Sequence, residues 1–164
     1  KDLRAVKLSN GENLPTLGEY LELGKKDKSL KLIVEIKPAK TPELENEMVL
    51  KTLNAIRKMK LEDQCELISF SLNICKEIKK TAPKFKVQYL NGELSPAEIK
   101  KLGLDGIDYH HSVFAKNPTW IAEANSLGLI TNAWTVNDEK VFEALKAQNI
   151  QFVTTNIPDQ LKEK

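Results

Sequence analysis

From Leu30 to its end, the chain alternates between strand-like and helix-like segments without a break. Short apolar runs occur at Leu30–Ile36, Cys65–Phe70, Phe85–Leu90, Gly106–Tyr109, Leu129–Thr135 and Ile150–Thr154. They are rich in Ile, Val, Leu or aromatic residues, and polar, Gly or Pro punctuation bounds each of them, as it does buried strands. Helical patterning predicts Thr16–Leu23, Pro42–Met59, Leu72–Thr81, Pro96–Leu102, Pro118–Leu127, Asp138–Gln148 and Pro158–Lys162. Repeated strand–helix units require parallel strands joined by right-handed crossovers. Two architectures meet that requirement, an open doubly wound sheet and a closed barrel. An eight-stranded barrel takes about 250 residues, and this chain has 164. The strand count therefore fits either a complete open sheet or a barrel short of two strands. No strand is followed by a Gly-rich loop, which argues against the dinucleotide-binding form of the open sheet.

The helix starts have physical causes. Ser95-Pro96-Ala97-Glu98 supplies a capping Ser, a Pro at the first helical position and a Glu three residues after the cap. Gly103 and Gly128 follow helical runs and can take the left-handed conformation that ends them. In Pro42–Met59 an apolar stripe (Leu44, Met48, Leu50, Leu53, Ile56, Met59) faces a Glu/Lys-rich side, which suits a helix on the outside of a sheet. The charges, 25 Lys+Arg against 23 Asp+Glu, are interspersed, and no basic–aromatic stripe points to nucleic acid. No apolar run is long enough to span a membrane, and Lys-Asp-Leu-Arg at the start is not a signal peptide. Cys65 and Cys75 match no zinc or redox spacing and read as small buried hydrophobes.

Parallel α/β folds carry their functional groups at the C-terminal ends of the strands. In Ile33-Val34-Glu35-Ile36-Lys37-Pro38, alternation puts Ile33, Glu35 and Lys37 on one face. On the inside of a barrel, Glu35 would offer a hard oxygen ligand suited to Mg²⁺ or Ca²⁺. Lys37 would neutralise charge building on a phosphate. A solvent-facing Glu–Lys pair at a strand edge has the same pattern. Asn132 and Trp134 share a face near the end of a later strand, where an indole forms a flat wall or fills core. Asp108-Tyr109-His110-His111 ends another, and adjacent histidines cannot both point to one face of an extended strand. The remaining ends, Ser69-Phe70-Ser71, Gln88-Tyr89-Leu90-Asn91 and Thr154-Thr155-Asn156, supply pocket-lining residue types without specifying a reaction.

Five segments, taken in order, resemble the glycerophosphodiester phosphodiesterase family. They are Leu14-Pro15-Thr16-Leu17-Gly18-Glu19-Tyr20-Leu21, Val34-Glu35-Ile36-Lys37-Pro38, Ile68-Ser69-Phe70-Ser71, Trp134-Thr135-Val136-Asn137 and Val153-Thr154-Thr155-Asn156-Ile157-Pro158. The resemblance implies an α/β fold of the TIM-barrel kind, here incomplete, with residues 1–164 forming its C-terminal portion as one domain. It implies divalent-metal-dependent hydrolysis of a small glycerophosphodiester to glycerol 3-phosphate and an alcohol. Carried over by position, Glu35 is a metal ligand for Ca²⁺ or Mg²⁺, Lys37 an active-site residue near the phosphate, and Phe70 and Trp134 substrate-binding residues. Asn156 stands where many members carry Asp.

The family's HRG histidine, E.D metal pair and HD histidine precede the Pro-Thr-Leu segment and have no counterpart in this chain, and His110 and His111 lie too late to replace them. The expectation is a segment inactive alone, from a protein that is a full enzyme. A shortened non-catalytic relative that binds a phosphate-containing ligand or a partner protein is the alternative. An unrelated open sheet is the third reading. A six-stranded arc leaves two unpaired edges that invite self-association, unless residues 1–10 cover one of them.

Overall fold

The computed structural model describes residues 3–161. Its centre is a six-stranded parallel sheet in sequential order: β1 (Leu32–Glu35), β2 (Cys65–Ser69), β3 (Lys86–Tyr89), β4 (Gly106–His110), β5 (Ile130–Trp134) and β6 (Phe152–Val153). Each predicted strand is present. The sheet curves as a half-barrel with helices on its outer side. The helices are α1 (Leu17–Gly24), α2 (Pro42–Met59), α3 (Leu72–Thr81), α4 (Pro96–Lys101), α5 (His111–Lys116), α6 (Trp120–Ser126) and α7 (Glu139–Lys146).

Caps set most of the helix starts. Thr16 and Ser95 form complete capping boxes with Glu19 and Glu98, while Thr41 and Ser71 each accept a backbone N–H. Gly103 and Gly128 have φ of 73° and 69° and end α4 and α6 in the left-handed region. One expected helix is not formed among the described residues, and one helix is unexpected. Pro158–Gln160 forms a turn, and Lys162 lies outside the described residues. The unforeseen α5 begins where the side chain of His110 accepts the Ser112 N–H as an N-cap.

Strand register sorts the side chains. Leu67, Val87, Tyr89, Ile107, Tyr109 and Ala133 point outward and are buried with Val49, Leu53 and Ile56 of α2, Ile74, Cys75 and Ile78 of α3, Ile99, Ile121 and Leu145. This is the core. Both cysteines are part of it, and burial pushes their thiols up, Cys65 to about 11 and Cys75 to about 12. The inner face is different. Glu66, Gln88, Asp108 and Asn132 are buried there, while Ile33 on β1 and Phe152 on β6 stay 45% and 53% exposed. Residues 3–10 form a short 3₁₀ turn and one bridge, Lys7 to Asn13, and do not pair with β1.

Candidate functional site

At the C-terminal ends of the strands, a cavity of about 280 Å³ is lined by Glu35, Lys37, Ile68, Phe70, Leu90, Asp108, Trp134, Thr135 and Thr154. The four residues singled out for a site, Glu35, Lys37, Phe70 and Trp134, thus meet in one place although 99 positions separate the first from the last (134 minus 35). Larger hollows of about 740, 560 and 540 Å³ lie along α1 and at the N-terminal ends of β1–β3. They lack this convergence of polar groups at strand C-termini, where the chemistry of such sheets resides.

Glu35 and Lys37 project from the same face of β1 and its extension, as alternation requires, and Lys37 Nζ donates to Glu35 Oε1 at 2.9 Å. Ser69 holds this segment from below: its Oγ donates to the Ile36 carbonyl at 2.6 Å and accepts the Ser71 N–H. The buried Glu45 of α2 holds it from the side, by accepting from Ala39 N, Ser71 Oγ and Asn73 Nδ2. Phe70 meets Trp134 edge-to-face at 5.6 Å, an arrangement that the ring quadrupoles favour. Trp134 is fixed by its indole N–H, which donates to the Asp108 carbonyl at 2.9 Å. It is a cavity wall, not core filler.

Asp108 also lines the cavity, although the sequence draws attention to the neighbouring histidines instead. It is 2% exposed. Burial above all, with the nearby Glu35 charge, pushes its carboxyl up to about 7 against the opposing hydrogen bond from Asn132. The signal was available, since Asp108 lies two residues before His110 on the inward alternation of β4. Asn132 also donates to Thr154 Oγ1 at 3.1 Å, and Gln88 donates to Glu66 Oε2 at 2.9 Å, while Gln88 Oε1, Asp108 Oδ1 and Asn132 Oδ1 are buried without a hydrogen-bond partner among the described residues. His110 and His111 lie ring to ring at 4.3 Å because the chain turns into α5 between them. Asn156 is exposed, and its backbone N–H donates to Asn137 Oδ1 at the rim.

With this geometry in place, the match to known proteins is decisive. The profile of the glycerophosphoryl diester phosphodiesterase family covers residues 2–160. The chain belongs to this family. It is 42% identical to a glycerophosphodiester phosphodiesterase of known structure from Parabacteroides distasonis, with a TM-score of 0.94 over 97% of this chain and 67% of that one. It is 25% identical over 154 residues to a glycerophosphodiester phosphodiesterase from Caldanaerobacter subterraneus. A phosphodiesterase from Oleispira antarctica, solved with the product sn-glycerol-3-phosphate, shares the fold at a TM-score of 0.77 and 22% identity. The chain spans 61% of the length of the Caldanaerobacter relative. Glu35, Lys37, Phe70 and Trp134 all fall within the matched residues, and all four line the cavity.

Among the described residues, no group of three or more His, Cys, Asp or Glu side chains converges to hold a metal ion. Glu35 is a suitable hard oxygen donor, but Mg²⁺ and Ca²⁺ take about six to eight ligands. The residues described here therefore do not by themselves fit a divalent cation.

Proposed function

We propose that this chain carries one side of a phosphodiesterase site that hydrolyses small glycerophosphodiesters to glycerol 3-phosphate and an alcohol. The observation that carries the reading is the convergence of Glu35, Lys37, Phe70 and Trp134 on one cavity at the strand ends of a family member. The product bound in the Oleispira relative is of the same chemical class.

Each residue has a physical task in this reading. Lys37 places an ammonium against the non-bridging phosphate oxygens and neutralises the charge that grows as water adds to phosphorus and the P–O bond to the alcohol breaks. Glu35 keeps Lys37 in place through their ion pair, and it would offer one carboxylate oxygen to a Ca²⁺ or Mg²⁺ ion only if the other ligands came from outside the described residues. Phe70 and Trp134 form the apolar wall against which the organic part of the diester packs. The acid–base groups that move the proton from water to the leaving alkoxide also come from outside the described residues. The chain alone is accordingly a binder and not a catalyst.

Two measurements test this. Turnover of glycerophosphocholine with Ca²⁺ or Mg²⁺ is expected to stay at background, and turnover that Glu35→Ala abolishes would overturn the inactivity. Calorimetric binding of sn-glycerol 3-phosphate is expected to weaken about 10-fold or more in Lys37→Ala, the worth of one charge-assisted hydrogen bond. Equal affinity of variant and wild type would remove Lys37 from the phosphate site.

A further inference from the structure

His110 is the register partner of Trp134 in β4 and β5, so it stands on the inner face, two residues beyond Asp108. Asp108 and Trp134 both line the cavity. The His110 ring lies edge-on to Trp134 at 5.0 Å and 80°, and so extends the Phe70–Trp134 wall along the rim.

Its protonation pattern follows from its second task. His110 caps α5: the Ser112 backbone N–H donates to Nδ1 at 3.3 Å, and Ser112 Oγ lies 2.8 Å from the same nitrogen. A backbone N–H can donate only to a ring nitrogen with a free lone pair, so Nδ1 carries no proton and the neutral ring holds its proton on Nε2. A second proton would have to displace the cap. Burial, with His111 beside it, also holds the ring below the usual histidine range. Ser, Thr, Asp or Asn would make this cap without a ring. With His, the cap also sets an aromatic ring against Trp134, next to the cavity that Trp134 lines.

On the reading of this cavity as a phosphodiester site, we infer that His110 is a specificity-determining residue, fixed as the Nε2–H tautomer, that donates a hydrogen bond to an ester or hydroxyl oxygen of the bound diester. Lys37 supplies the charged donor from β1, and His110 the uncharged one from β4. An uncharged donor suits an oxygen that bears no full charge.

The test uses the full ¹⁵N-labelled chain, whose two histidines give two imidazole systems. Long-range ¹H–¹⁵N spectra at pH 7 are expected to show His110 as the Nε2–H tautomer. Added glycerophosphocholine is expected to shift the His110 ring and the Trp134 indole N–H together. His110→Asn keeps an acceptor for the Ser112 N–H but removes the ring. It should leave the unfolding midpoint in place and weaken glycerophosphocholine binding about 2- to 10-fold, as loss of one neutral hydrogen bond does. An Nδ1–H tautomer, an unmoved His110 beside a shifting Trp134, or unchanged affinity in His110→Asn each overturns this inference alone. If no resonance moves, the proposed function fails and the inference fails with it.

Discussion

Asp108 shows how one buried side chain ties the floor of the site to the stability of the fold. Its carboxyl rises from an ordinary 3.8 to about 7 because burial penalises the charged form. The folded chain therefore holds this proton more tightly than the unfolded chain. Raising the pH between those two values strips the proton from the unfolded state first, so the contribution of Asp108 to stability is present at pH 4 and lost by pH 7. Asp108→Asn keeps the shape and removes the titration. In denaturant unfolding, the variant is expected to gain on wild type by roughly 2–4 kcal/mol between pH 4 and pH 8. Parallel stability profiles for the two proteins would show that Asp108 ionises at its ordinary pH. The buried thiols of Cys65 and Cys75 sit in the core and take no part in this chemistry.

At the scale of elements, the site depends on how β1 is tied to β2. Strand pairing aligns Glu35 with Ile68, and the buried Ser69 hydroxyl then reaches across to the Ile36 carbonyl between Glu35 and Lys37. Ser69→Ala leaves that carbonyl and the Ser71 N–H without this partner. It should cost about 1–3 kcal/mol of stability, the penalty for stranding buried polar groups. A thermal-melt midpoint unchanged from wild type would show that the tie contributes nothing. Much of this architecture was legible in the sequence. The strands announced themselves as short apolar runs, and the Glu35–Lys37 alternation gave the right face. What escaped has physical causes, some local and some long-range. The α5 helix carries no Ser, Thr, Asp or Asn at its cap, since His110 does that work, so its start looks like a continuing strand. Pro158 mimics a first helical position, but the chain from Pro158 to Gln160 makes only a turn. Asp108 reads as one more polar residue until the register of β4 and β5 places it on the cavity floor. The Glu45 contacts to Ser71 and Asn73 span 26 and 28 positions, and no local pattern reveals them.

For the whole molecule, the open sheet decides the behaviour. β1 and β6 are edge strands among the described residues, and Ile33 and Phe152 lie exposed beside them, as do Tyr20 and Leu23 on α1. An uncovered edge flanked by apolar side chains is a template for another chain. Concentration-dependent association in sedimentation velocity, reduced by Ile33→Lys, is the expected behaviour. A concentration-independent monomer would show that the edges are protected. The same openness leaves the cavity lined by the strand ends of one half-barrel. The outer face packs against the helices as one core, although Leu44 and Leu50 of α2 stay exposed, whereas the inner face leaves Ile33 and Phe152 in solvent. The glycerophosphodiester phosphodiesterase from Parabacteroides superposes on 97% of this chain and extends beyond it. That relative allows the most direct test of whether this chain carries one working side of a hydrolase site. Residues 3–161 would replace the matching portion of the Parabacteroides enzyme, and the chimera would be assayed on glycerophosphocholine with Ca²⁺ or Mg²⁺. The expected result is metal-dependent hydrolysis that falls at least about 100-fold in Glu35→Ala. A folded chimera without activity, or activity that Glu35→Ala leaves intact, would contradict it.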